Sequence, residues 1–159
     1  MATVEHDVQI ERGSSDDLDG VMKVMDSAFG ERFGEAWTRS QLAGILPMHG
    51  VSLVLATEPG NDRALGFSLT RTVSDESELL LIAVMPDTQR RGVGRRLLDH
   101  FLERARNDGV ARVHLEVRDG NPAVGMYEAA GFLPIGRRRN YYRAADGKRF
   151  DAITLAVDI

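Results

Sequence analysis

The hexamer Gln89-Arg90-Arg91-Gly92-Val93-Gly94 constrains this chain more than any other stretch. Before it, residues 79–85 are apolar without a break, and Pro86 closes the run. After it, residues 95–108 carry apolar side chains at helical spacing. The hexamer therefore reads as a loop that leaves a buried strand and opens a helix. Its two glycines let the backbone come close to a ligand. A helix start offers unpaired N–H groups and a partial positive charge, which suits phosphate. The first expectation is a cradle for a pyrophosphate.

Charge distribution agrees with that expectation. Residues 1–88 hold 6 basic and 15 acidic side chains, whereas residues 89–159 hold 14 and 9. The basic half begins at the glycine loop, as an anionic ligand there requires, although arginines that solvate helix faces give the same count. A length of 159 residues points to one domain over the whole chain, 1–159. With no cysteine, disulfides, thiolate metal ligands and an acyl-cysteine intermediate are all excluded. His6, His49, His100 and His114 lack ligand spacing, so no metal is expected. No apolar run is long enough to span a membrane, and residues 1–10 lack signal-peptide character. The expectation is a soluble, cytoplasmic protein, a monomer or homodimer, that makes no use of a membrane.

Val8 and Ile10 suggest a short first strand. Ser14, Asp16 and Asp17 open a helix whose apolar face is Leu18, Val21, Met22, Met25, Ala28 and Phe29, and Gly30 ends it. Thr38 caps a second helix reaching about Leu46, with Leu42 and Ile45 inward. Strands are expected at 51–57, 63–72 and 78–84, the last being central because it is apolar on both faces. The helix after the hexamer buries Val93, Leu97, Leu98, Phe101, Leu102 and Ala105. In the strand 112–118, Val113, Leu115 and Val117 share one face; His114, Glu116 and Arg118 share the other. Asn121 and Pro122 open another helix, which Gly131 stops. The last strands are placed at 132–136 and 152–157. The order β-α-α-β-β-β-α-β-α-β-β predicts an α/β (α+β) fold. Its sheet is mixed and mostly antiparallel, with six to seven strands flanked by about four helices. Mid-chain glycines argue against a dinucleotide fold, and the absence of a following Gly-Lys-Ser/Thr argues against a P-loop.

These features together resemble the GNAT superfamily of acyl-CoA-dependent N-acyltransferases. Its Q/R-x-x-G-x-G/A signature is matched by Gln89, Gly92 and Gly94, and the later Tyr127-Glu128-Ala129-Ala130-Gly131-Phe132 strengthens the match. A narrower resemblance, to bacterial ribosomal-protein-alanine N-acetyltransferases, covers about residues 78–157. It rests on Leu115-Glu116-Val117-Arg118, on Tyr127-Glu128 and Gly131-Phe132, on Arg138-Arg139-Asn140-Tyr141-Tyr142, and on Asp146-Gly147 and Asp151-Ala152. The family usually places seven positions between the asparagine that opens the last helix and its tyrosine. Asn121 and Tyr127 are six apart, a turn one residue shorter.

The resemblance implies acetyl-CoA as co-substrate and direct attack by an amine. Backbone N–H groups of about residues 90–95 are expected to cradle the coenzyme pyrophosphate, with charge from Arg90, Arg91 and Arg95. Ile82, Ala83 and Val84 should lie along the pantetheine arm in the manner of an added strand, and a backbone N–H there is the implied oxyanion donor. Glu116 is the expected general base, because a carboxylate near a sheet centre needs a task or a partner; a salt bridge to Arg118 or Arg112 is the plainer alternative. Tyr127 is the candidate acid for the departing thiolate, against an ordinary core tyrosine. Asn121 is a coenzyme contact or only a helix cap. Tyr141 and Tyr142 suit a wall for an extended peptide better than a nucleic-acid patch, and Trp37 is the candidate opposite wall or plain core. Glu31 and Glu35 either attract a cation or solvate the surface. The acceptor is expected to be a protein N-terminus, with a small amine, or a coenzyme-binding module without turnover, as alternatives.

Overall fold

Seven strands form one sheet in the order β1-β2-β3-β4-β5-β7-β6 in this computed structural model. It describes residues 8–159, apart from the side chains of Gln89 and Arg90; His6 lies outside the described residues. The strands are β1 (Gln9–Arg12), β2 (Val51–Glu58), β3 (Asn61–Val73), β4 (Glu76–Val84), β5 (Arg112–Arg118), β6 (Leu133–Arg143) and β7 (Arg149–Asp158). The helices are α1 (Leu18–Phe29), α2 (Arg39–Ile45), α3 (Val93–Asn107) and α4 (Val124–Ala129). The element order is the one read from the sequence, and among the described residues only the β4–β5 pair is parallel.

Local signals account for the helix ends. Ser14 and Asp17 form a reciprocal capping box before α1, and Thr38 and Gln41 form another before α2. In α3 the six expected residues are the buried ones. Past α4, Gly131 at φ 98° turns the chain, and Phe132 N–H reaches back to the Tyr127 carbonyl at 3.1 Å. Helices α1 and α2 cover one sheet face around Met25, Leu42, Phe67 and Leu69. Helices α3 and α4 cover the other around Leu98, Leu115, Tyr127 and Phe132.

One irregularity shapes everything downstream. The β3–β4 register moves from Leu69↔Leu81 to Thr70↔Leu79, so Leu80 is an extra residue. Such a bulge bends its strand and resets the in–out alternation. Leu79 accordingly packs on the α3 side, whereas Leu81 and Ala83 pack on the α1 side. On its other edge, β4 pairs with β5 only as far as Leu79↔Leu115. Beyond that point the two parallel strands part.

The expected β6 ends too early. It continues past Gly136 to Arg143 as an exposed edge strand, because β7 begins at Arg149 and offers a partner along this length.

Candidate active site

The parting of β4 and β5 opens a cleft of about 720 Å³. Its β4 wall includes Ile82, Ala83 and Val84, and its β5 wall includes Glu116 and Arg118. In an antiparallel ladder, alternate backbone groups face away from the partner. Past Leu79, those of β4 face the cleft instead of β5, a slot shaped for an extended ligand.

At the mouth, residues Pro86–Arg91 form a 3₁₀ turn instead of an open loop. Gly92 follows at φ 71°, ψ 20°, a left-handed conformation that glycine adopts without strain. Val93 begins α3, and Gly92, Gly94 and Arg95 line the cleft. A Cβ on Gly94 would meet Met126 Sδ and Val84 Cγ2 at 3.5 Å, ordinary contact that places Gly94 against both. Two residues of the hexamer face elsewhere. The Val93 side chain is fully buried among Val8, Val54 and Leu97, leaving only its backbone for a ligand. Arg91 Nη1 donates to Glu58 Oε1 at 2.7 Å. The Gln89 and Arg90 side chains lie outside the described residues.

Deeper in, Glu116 is 15% exposed. Neither Arg118 nor Arg112 is its partner: Arg118 pairs with Glu35 and Arg112 with Asp158. Arg138 of β6 binds it instead, Nε to Oε1 at 2.7 Å. The second oxygen, Oε2, is buried and has no hydrogen-bond partner among the described residues. An unpaired carboxylate oxygen in a cleft wall is costly unless a ligand uses it.

Tyr127 belongs to the core and to the cleft at once. Its ring meets Phe132 edge-on at 5.9 Å, and it also lines the cleft. Burial pushes its phenol well above the usual range, and the nearby Tyr142 and Glu35 push the same way. Tyr142 is raised likewise, by burial first and then by Glu35 and Tyr141. Both phenols therefore hold their protons at neutral pH and are able to donate them. Despite the shorter turn before α4, Tyr127 lines the same cleft as Glu116.

Trp37, Tyr141 and Tyr142 also line the cleft. Tyr141 and Tyr142 meet edge-on at 5.0 Å, and Tyr142 Oη donates to the Glu116 carbonyl at 3.4 Å. The 30–38 loop crosses over to this hairpin. A Cβ on Gly34, at φ 72°, would lie 2.0 Å from the Arg143 carbonyl oxygen, so only glycine allows the approach.

Sequence reading missed the strut beneath. Arg118 and Glu35, 8% and 10% exposed, pair at 3.1 Å. The Arg118 guanidinium also stacks on the Phe33 ring at 3.6 Å. Asn121 Nδ2 donates to Glu35 Oε2 at 2.7 Å, while Asn121 Oδ1 accepts from Ala123 N–H at 2.8 Å. Asn121 thus forms the turn before α4 and clamps Glu35, with one amide N–H and one lone pair left for any ligand. It is not the expected helix cap, because α4 starts at Val124 with Ala123 in the cap position and no side-chain cap bond. Glu35 belongs to this strut, whereas Glu31 is exposed. The one available signal was Arg118 itself, a charge on the inward-facing row of a central strand that demands a partner.

A mixed sheet that parts at its central parallel pair, with a glycine turn and helix at the mouth, defines an acyltransferase supplied by coenzyme A. The chain belongs to the acetyltransferase (GNAT) family, whose description matches residues 18–132. It is an acetyl-CoA-dependent N-acetyltransferase. It is 45% identical over 100 residues to the ribosomal protein bS18-alanine N-acetyltransferase of Escherichia coli K12, covering 62% of this chain and 67% of that one. It is also 45% identical over 91 residues to the N-alpha-acetyltransferase RimI of Mycobacterium tuberculosis, covering 57% of this chain and 54% of that protein. The crystal structure of the Escherichia coli ribosomal-protein-S18-alanine N-acetyltransferase superposes with a TM-score of 0.86 at 34% identity, over 96% of this chain and 94% of that one. Among the described residues, no helix is long and apolar enough to cross a membrane.

Proposed function

We propose that this enzyme acetylates the N-terminal α-amine of a ribosomal protein, an alanine in the manner of its relatives, with Glu116 as general base and Tyr127 as general acid. The activities for which its relatives are named support the acceptor. The observation that carries the chemistry is the unpartnered Glu116 Oε2 in the wall of a cleft that Tyr127 also lines.

Acetyl-CoA fits the mouth by the chemistry of the groups there. The Gly92 and Gly94 backbone and the Arg95 side chain suit a pyrophosphate, and the exposed edge of β4 suits the amide-bearing pantetheine arm. Glu116 takes a proton from the incoming ammonium. The amine nitrogen then attacks the thioester carbon, with a β4 backbone N–H supporting the oxyanion. As the carbon–sulfur bond breaks, Tyr127 gives its proton to the thiolate; the second proton that the nitrogen sheds on becoming an amide restores the phenol, and Glu116 releases its own to solvent. The peptide lies between Trp37 and the Tyr141–Tyr142 pair.

Thiol release from acetyl-CoA tests this with an Ala-starting peptide, the same peptide N-blocked, and small amines such as spermidine. Turnover of the free peptide alone is the expected result. Turnover of the small amines alone would move the acceptor to that class, and release with none would place the acceptor outside both. Glu116→Gln should lower kcat by roughly 10²- to 10⁴-fold while acetyl-CoA affinity holds. Unchanged turnover across the pH range would remove Glu116 from the base role.

A further inference from the structure

Two carboxylates of the cleft wall, Glu35 and Glu116, are each paired with an arginine, and the pairs are built differently. Arg118 and Glu35 are both nearly sealed, and Phe33 and Asn121 brace them. Arg138 and Glu116 are not matched in this way: the Glu116 side chain is 15% exposed and the Arg138 side chain 62%. A surface cation thus reaches inward to cover an inner anion. The guanidinium also lies over the Tyr141 ring, at 5.5 Å.

The backbone beneath Arg138 is irregular. The β6–β7 register jumps from Arg138↔Ala152 to Tyr142↔Phe150. Three residues of β6 therefore stand against Asp151 alone, and Asn140 takes a left-handed φ of 54°. Asp151 anchors both sides of this bulge: it accepts from Asn140 N–H at 3.0 Å and from Arg137 Nη1 at 2.9 Å. Arg137 also holds Asp119. The neighbours of Arg138 are fixed, and its own side chain spans from a tethered bulge to the catalytic carboxylate.

We propose that Arg138 occupies, in the free enzyme, the place that the acceptor's ammonium takes on Glu116, and that the cationic amino terminus binds by displacing it. This rests on the reading of Glu116 as the base. The exchange is neutral in charge, because one cation replaces another and the carboxylate is never left buried and unpaired. It also gains a contact. An ammonium carries three donors, so it satisfies Oε1 and the orphaned Oε2 together. Selection follows from the same geometry, since an N-blocked terminus brings no cation and leaves Arg138 in place. So does protection of the thioester: with Glu116 covered, no base is free to activate water when no acceptor is bound.

The test compares the wild type with Arg138→Gln and Arg138→Lys, both at an exposed edge position, with melting curves to establish folding. For Arg138→Gln, the Kd and KM of a free Ala-starting peptide should fall roughly two- to fivefold, the range expected for a half-exposed ion pair. The Kd of the N-blocked peptide should not move, and the effect should appear in KM more than in kcat. Acetyl-CoA hydrolysis without acceptor, giving acetate and free thiol, should rise. Arg138→Lys should restore the wild-type KM. A drop in kcat with unchanged KM would overturn the proposal and make Arg138 a positioning residue, as would weaker binding of the free peptide. The hydrolysis arm needs no acceptor, so its result stands apart from any failure of the ribosomal acceptor assignment. Hydrolysis that stays flat in Arg138→Gln counts against the covering role.

Discussion

The two strands that wall the cleft are built on opposite plans. Each loses its inner partner at Leu79↔Leu115 and keeps its outer one, β3 for β4 and β7 for β5. The β4 wall bends through a bulge at Leu80 and carries only apolar side chains from there to Val84. The β5 wall runs in unbroken register with β7 and carries Glu116 and Arg118. One wall offers backbone and apolar surface, which suit the part of the substrate that every turnover shares. The other offers charge, and each charge is held by a residue distant in sequence: Glu35 for Arg118, Arg138 for Glu116. On the proposed reading, gripping and chemistry fall to two strands that lie side by side.

The strongest test of this division is at Arg118. Removing it by Arg118→Ala leaves Glu35 buried without its cation, which should cost roughly 3–5 kcal/mol. Urea unfolding measures it. The double variant Arg118→Met with Glu35→Met removes both charges and should recover much of the loss. A single-variant cost below about 1 kcal/mol would mean that the pair behaves as a surface bridge, and the β5 wall would need no strut.

Next in size is the loop that braces the β5 side. Gly34→Ala puts a methyl group where the Arg143 carbonyl oxygen already lies, at a positive φ. Overpacking of this kind should cost roughly 1–3 kcal/mol. The kinetic consequence sharpens the comparison more than the stability does. The KM for acceptor should rise, because Trp37 and the tyrosine pair line the cleft beside this contact, and the KM for acetyl-CoA should hold. Equal rises in both would show that the two walls are not independent.

The division was half legible in the sequence. Alternation in residues 112–118 gave β5 its bounds and put Glu116 and Arg118 on one face, because a period of two survives whenever one face is buried. The stripe of α3 was equally plain. The bulge at Leu80 left no mark, since it lies in an unbroken apolar run without glycine or proline. The partners of Glu116 and Arg118 were hidden for a different reason. They come from β6 and from the 30–38 loop, and ion pairs across such separations depend on the tertiary fold. Gly34 carried no local signal either, because its need for φ above zero arises from a contact 109 residues away.

The smallest effect concerns the two buried phenols, both on the β5 side of the cleft. Burial raises Tyr127 and Tyr142 well above their usual value of 10.0. Below that value, both phenols are protonated whether the chain is folded or not, so they add no pH dependence to stability. Above it, the unfolded chain gives up protons that the folded chain keeps, and stability falls as pH rises. Each phenol should contribute at most roughly 1.4 kcal/mol per pH unit to that fall. Chemical denaturation at successive pH values from 9 upward measures the slope, and Tyr127→Phe should remove about half of the part these phenols contribute. The same protonation fixes an expectation for catalysis. A phenol that stays neutral cannot set an alkaline limb in kcat near pH 9, so none should arise from Tyr127. A limb there that vanishes in Tyr127→Phe would mean that the phenol ionises within the working range, and the proton given to the thiolate would then need another donor.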